Sequence, residues 1–472
     1  MKRTKIICTL GPASANPGTL EKMINAGMNI ARLNFSHSSH EEQAERIRLV
    51  RETAANLGKT IGILADIQGP KIRTGMLHTD PLVLNEGDRI LLTVDPAQEA
   101  KPGYIYVKYP TLISDVNVEN RIFLADGLIA LKVIAINELD VECEVIAGGE
   151  LTSKKGVTLP GVSVKLPALT EKDKKDIEFV VSQKVDIIAI SFARKAEHLV
   201  EIRDFITSLG GDQMIIAKIE NEEGFSNSEE ILQVCDGIMV ARGDLGIEVP
   251  PEEVPLIQRY LIELCNNAGK PVITATEMLE SMIRNPRPTR AEITDIAHAI
   301  LDGTDAIMLS AETAVGKHPV AAVEIMTKVA QRIEDSLKFD EILAKKKIGA
   351  FPTISDAISH ATCQTALDLK AVAIITSTQS GSTARMVSKY RPQAPIIATT
   401  PSERVACQLA LNYGVFPIVV PEAKDIDSMI DVSIQAAKQF KFISENDLVV
   451  ITAGVRTGIP GSTNLLKVHY IE

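Results

Sequence analysis

Six cysteines in 472 residues, with no C-x-x-C pair among them, leave little material for a disulfide framework or a zinc site. Cys8, Cys143, Cys235, Cys265, Cys363 and Cys407 are scattered, most of them inside apolar runs, where a reduced thiol is a small hydrophobe. Basic charge is also short: 50 Lys and Arg against 61 Asp and Glu give a formal net charge of −11. That field excludes non-specific nucleic-acid binding and adhesion to an anionic membrane, and leaves small molecules or other subunits as partners. No apolar run approaches a membrane span. The N-terminal KIICTL stretch stops at Gly11-Pro12, too short for a signal peptide, and the chain reads as cytoplasmic. Tryptophan is absent and aromatics are only 4%, yet 45% hydrophobic and 24% charged residues are the proportions of a folded soluble protein. At this length two or three domains are expected.

Other familiar signatures are missing too. There is no Walker A and no G-x-G-x-x-G, no plausible Ser-His-Asp order, and the eight histidines do not cluster. What is present is a recurring unit. Eight short β-branched runs (TKIICTLGP, MNIARLNFSH, TIGILADIQGP, VDIIAISFAR, QMIIAKIEN, DGIMVARGDLG, KPVITATEM and TDAIMLSAET) mostly end in polar residues and are followed by helical patterns. Ser39 with Glu42, Thr170 with Asp173 and Thr289 with Glu292 supply helix-start signals between them. Eight strand-helix units predict a (β/α)8 TIM barrel, whose chemistry gathers at the C-terminal strand ends. An open doubly wound sheet, the alternative, does not need eight.

Neighbouring runs mostly start roughly 25 to 35 residues apart, but about 120 separate the third from the fourth, so a domain is inserted there. Residues 72–166 read as short strands and tight turns, broken at Asn85 to Asp88, Asp126-Gly127 and Gly148-Gly149: a small β-barrel hung on the rim as a lid. Lys345 to Lys347, Gly349 and Pro352 mark a linker, after which AVAIITST, APIIATT, VFPIVV, DLVVITAG and LLKVHYI alternate with helices. The expected division is 1–70 with 167–340 for the barrel, 71–166 for the lid, and 350–472 for a C-terminal α/β domain.

The polar strand ends suggest a chemistry. Lys218 and Glu220, two apart, point to one side, and Glu220 with Asp244 from the next strand end can share a divalent cation of the Mg²⁺ type, which prefers carboxylates and water. Backbone N–H groups near Gly243 can hold an anionic oxygen. Arg32 and Arg73 add guanidinium forks, and this cation density suits phosphoryl transfer, which is stabilised by positioning and charge. A nucleotide must then be held by the mouth and the lid. A solvated Lys/Glu pair is the plainer reading of 218 and 220 taken alone. His37, on the LNFSH loop, is equally a ligand contact or an ordinary loop residue. In the C-terminal domain TSTQSGST, residues 376–383, offers hydroxyls and helix-start amides as a phosphate pocket, with IPGSTN at 459–464 as a second candidate. An ordinary Ser/Gly turn fits the first as well.

The stretches KIICTLGP, NIARLNFSH, QGPKIRTG, SKKGVTLPG, AKIENEEG, GIMVARGDLG, ATEMLESMI, NPRPTRAE, DGTDAIMLSAET and SGSTARMVSKYRP together resemble pyruvate kinase from end to end. The resemblance implies transfer of the phosphoryl group of phosphoenolpyruvate to ADP, giving ATP and pyruvate, by a cytoplasmic homotetramer with an allosteric C-terminal domain. It implies Lys218 as the lysine on the phosphoryl group in flight, Arg32 as the phosphoryl-binding arginine, and Glu220 and Asp244 as Mg²⁺ or Mn²⁺ ligands. Gly243, Asp244 and Thr276 match the positions that hold the substrate carboxylate, with Thr276 also serving a water that protonates the enolpyruvate. Asn34, His37, Arg73 and Lys155 match ADP/ATP contacts. Thr378, Ser380, Gly381, Ser382 and Thr383 match the effector phosphate loop, for a sugar monophosphate or AMP in preference to fructose 1,6-bisphosphate.

One departure stands out. Many members read D-T-K-G-P-E where this chain reads D-I-Q-G-P-K, and bind K⁺ through positions matching Asn34, Ser36, Asp66 and the threonine. Ile67 has no hydroxyl, and Lys71 brings a compact monovalent charge that stands in for K⁺. This is similar to the family's K⁺-independent branch. A Lys71–Asp66 contact is the expectation; at ~4 Å and an effective dielectric near 20 its Coulomb term is roughly 4 kcal/mol before desolvation. A barrel lyase or aldolase would share Glu220 and Asp244 but need neither Arg73, Lys155 nor a lid.

Overall fold

The computed structural model describes residues 1–36, 38–346, 353–454 and 463–472. All eight runs are strands, and they close into one parallel barrel: Lys5–Thr9, Ile30–Asn34, Gly62–Ile67, Ile187–Ile190, Met214–Ile219, Gly237–Ala241, Val272–Ala275 and Ala306–Leu309. Most are buried along their whole length, because parallel strands under a helical coat meet apolar neighbours on both faces. Ser39, Thr170 and Thr289 each form a reciprocal capping box with the acidic residue three positions on, so these helices start where the sequence marked them.

The inserted segment has its own apolar core, including Leu92, Ile105, Leu131 and Val133. Its strands form a six-stranded sheet and a two-stranded sheet. The expected closed lid barrel is thus two sheets around one core; the two-stranded pair, Gly149–Leu151 with Leu82–Leu84, is hydrogen-bonded apart from the larger sheet. The C-terminal unit is a five-stranded sheet with four parallel strands and the antiparallel Thr463–Tyr470 at one edge.

The C-terminal unit sits at the N-terminal ends of the barrel strands. Ala410 and Leu411 join the cluster inside the barrel, and a Cβ on Gly62 would lie 2.6 Å from the Cys407 carbonyl oxygen. Arg391 and Tyr413 bond Asp305 there. With one mouth occupied by the C-terminal unit, the C-terminal strand ends remain free to face the lid.

Candidate active site

Lys218 leaves the fifth barrel strand with its side chain 10% exposed. Its ammonium donates to Ser191 Oγ at 2.8 Å and to Asp66 Oδ1 at 3.1 Å, and pairs with Glu220 Oε1 at 3.0 Å. Burial opposes the charge, but the carboxylates of Asp66 and Glu220 outweigh it and hold the ammonium above its ordinary pKa. Arg32, from the second strand, grips Asp66 Oδ2 with two nitrogens, Nε at 2.8 Å and Nη2 at 2.7 Å, and its Nη1 donates to Thr9 Oγ1. Asp66 is 2% exposed. Burial alone would raise its pKa, yet Lys218 and Arg32 hold it below the usual carboxylate value. Three strands thus deliver one buried knot of two cations and two carboxylates.

Glu220 is buried, which raises its pKa, and the like charge of Asp244 adds to that. Glu220 and Asp244 line one cavity of about 470 Å³, enclosed by Phe192, Arg194 and lid residues Val157 to Val164. Two hard carboxylate donors lining one cavity are a fit for a divalent cation. Among the described residues no cluster of three or more His, Cys, Asp or Glu offers a competing metal site. Gly243 N–H donates to Thr276 Oγ1 at 2.9 Å, and Thr276 sits at a positive φ of 68°, a strained conformation held by Arg242, whose guanidinium bonds the Ala275 and Thr276 carbonyls.

Three residues that the motifs did not flag for a role complete this wall. Ser191 ends the run VDIIAIS; its hydroxyl donates to the Ile67 carbonyl at 2.7 Å while receiving Lys218. Phe192, at φ 54°, aims its N–H at Glu220 Oε2, 2.7 Å away. Arg194 lies over the Phe192 ring. Their signal was the strand end ISFAR itself, a bulky residue immediately after a polar strand terminus.

Lys71 does not meet Asp66. Asp66 is occupied by Arg32, Lys218 and Ser191, and the Gly69-Pro70 turn carries the chain outward, so Lys71 Nζ lies 3.3 Å from Asp244 Oδ1 and 3.2 Å from Asp126 Oδ1 of the lid. Asn34 Oδ1 instead accepts the Ser36 N–H, and Ile67 is buried. Arg73 and Lys155 are brought together at the root of the lid, where Thr74 N–H donates to Lys155 O and Arg73 Nη1 to Lys154 O; neither is bonded to the Lys218 knot. His37 lies outside the described residues, as do positions 459–462 of the second phosphate candidate. Its Thr463 is described, and its hydroxyl is 2.8 Å from that of Thr383. Beside them Thr378 Oγ1 accepts the Gly381 N–H, Gly381 at φ 82° opens the helix Ser382–Lys389, and Arg385 bonds Ser380 O.

A family model for the pyruvate kinase barrel domain matches residues 1–323, and one for the pyruvate kinase alpha/beta domain matches 356–469. A pyruvate kinase of Geobacillus stearothermophilus is 50% identical over 474 residues, covering 100% of this chain and 81% of the relative. Pyruvate kinases of Clostridium acetobutylicum and Staphylococcus epidermidis are each 48% identical over 473 residues, covering 100% of this chain and 100% and 81% of the relatives. With the barrel closed, the cation knot at its mouth and both domain matches covering the chain, the protein is a member of the pyruvate kinase family.

Proposed function

We propose that the protein transfers the phosphoryl group of phosphoenolpyruvate to ADP, forming ATP and pyruvate in the final step of glycolysis. The barrel, residues 1–70 and 167–340, carries the chemistry; the lid, 71–166, covers it; the C-terminal unit, 350–472, regulates it. The observation that carries this reading is the convergence of Arg32 and Lys218 beside Glu220 and Asp244 at one mouth, since a migrating phosphoryl group needs fixed positive charge on several sides. Glu220 and Asp244 would hold Mg²⁺ or Mn²⁺, which supplies charge neutralisation and orientation of phosphoryl oxygens. Lys218, already charged and tethered at three oxygens, meets the phosphoryl group without reorganising. Thr276 and the Gly243 N–H orient the substrate carboxylate, Thr276 serves the water that protonates the enolate, and Asn34, His37, Arg73 and Lys155 take the nucleotide. The lid excludes water that would otherwise accept the phosphoryl group. ADP-dependent pyruvate formation tests this: Lys218→Met is expected to lower kcat at least about 10³-fold, the order of removing a preorganised charge. Full activity in that variant would end the assignment.

Three finer readings follow. The enzyme works without K⁺, because Ile67 lacks the hydroxyl and Lys71 supplies a fixed monovalent charge in the same mouth, against Asp244. Activity is expected to persist when K⁺ is replaced by a bulky organic cation, and Lys71→Glu to lower it under those conditions; a strict K⁺ requirement in the parent would refute the reading. The loop at Thr378, Ser380, Gly381, Ser382 and Thr383 binds the phosphate of a sugar monophosphate or AMP, supported by its hydroxyls and left-handed glycine at a helix start. The active form is a cytoplasmic homotetramer. Among the described residues no helix is long and apolar enough to cross a membrane.

A further inference from the structure

The lid turn Ala125-Asp126-Gly127 holds three successive residues at positive φ, 51°, 55° and 85°. Two of them carry side chains, which this region disfavours, and such strain persists where surrounding contacts over-determine it. The contacts are with the barrel and with Lys71, at the hinge where the lid leaves it. A Cβ on Gly127 would lie 3.5 Å from the Ile247 side chain, on the helix Arg242–Glu248 that carries Asp244. Asp126 Oδ1 is 3.2 Å from Lys71 Nζ, which is 3.3 Å from Asp244 Oδ1 and lies 5.8 Å from the Phe192 ring centroid. The Lys71 stem passes Gly156 of the lid so closely that a Cβ there would lie 2.9 Å from its Cε.

We propose that Asp126 is a positioning residue that clasps the lid to the barrel, holding the Lys71 ammonium over Asp244 so that one lysine joins the hinge, the Ala125-Asp126-Gly127 turn and a cation-binding carboxylate. Without Lys71 between them, Asp126 and Asp244 would face each other as like charges, so the lysine turns a repulsive lid contact into an attractive one. The strained turn is what presents Asp126 at that place. Lys71 is largely covered while Asp126 is 64% exposed, so the contact is screened by salt and suited to opening and closing. The clasp rests on the phosphoryl-transfer reading only for its use; its existence is independent of turnover.

The test uses the full chain without substrate or divalent cation. Hydrogen exchange is followed at the Ala125 and Val157 amides, which bond Gly156 O and Ile72 O at the lid root. Asp126→Asn is expected to speed their exchange about two- to fivefold at low salt, the range of a partly exposed ion pair. In 1 M NaCl wild type and variant should converge, Asp126→Glu should stay near wild type, and Lys71→Met with Asp126→Asn should open the lid no further than the stronger single change. Unchanged exchange in Asp126→Asn overturns the clasp. So does an acceleration that survives high salt and recurs in Asp126→Glu, because turn geometry rather than charge would then be its cause. In the turning-over enzyme the nucleotide KM should rise by the same factor with kcat little changed. If pyruvate formation is absent but the exchange results hold, the functional reading fails and the clasp stands.

Discussion

Asp66→Asn is nearly isosteric and removes one charge from the centre of the mouth. Asp66 is 2% exposed and is the shared counter-ion of Arg32, at 2.7 Å, and Lys218, at 3.1 Å. The amide leaves two buried cations with Glu220 as the only remaining carboxylate in the knot. Removing one partner of a buried pair costs about 3–5 kcal/mol, because the surviving charge stays desolvated. For a unit of barrel size, 1 kcal/mol is worth roughly 2–4 °C, so the barrel transition should fall by about 6–20 °C in calorimetry at pH 7. The pH dependence gives a second readout. Asp66 has its folded pKa depressed, so its contribution is present above the unfolded value and lost as pH falls through the folded one. Lys218 has its folded pKa raised, so its contribution is present below the unfolded value and lost as pH rises through the folded one. The gap between wild type and Asp66→Asn should therefore be widest on the neutral plateau and narrow toward pH 3. A loss below about 2 °C, or a gap that does not narrow in acid, would refute the buried knot.

Thr276→Ala removes the acceptor of the Gly243 N–H and is expected to lower kcat about 10²-fold, with a matching loss of solvent-proton exchange into pyruvate. Asp186, buried where the barrel meets the C-terminal unit, has its pKa pushed by burial to about 7, opposed by the Ile63 N–H, Arg51 and Arg404. The folded state therefore binds the proton more tightly, and stability falls as pH rises from about 4 to 7. Asp186→Asn should be more stable than wild type above pH 7, by roughly 2–4 kcal/mol in denaturant titrations, with the difference vanishing near pH 4.

Much of this was legible in one dimension because strands, caps and turns are local. VDIIAISFAR and its seven counterparts carry β-branched runs only a buried parallel strand accommodates, and Thr170 with Asp173 is a helix start wherever it stands. Lys218 and Glu220 could be placed together because two residues on a strand share a face. Lys71 could not. Its position depends on where the Gly69-Pro70 turn sends the chain and on the corridor beside Gly156, neither of which residue spacing encodes. Phe192 escaped notice for the same reason: its importance lies in a φ of 54° and an N–H direction rather than in its side-chain type.

The order of residues by itself determined the repeating strand-helix unit, the insertion after the third strand, the helix starts and the charged strand ends, because each depends on neighbours a few positions away. Only the tertiary structure decided which charges touch. Asp66 went to Arg32 and Lys218, and Lys71 to Asp126 and Asp244. Pairing falls off within a few ångströms, and such separations are set by barrel closure and the docking of the lid.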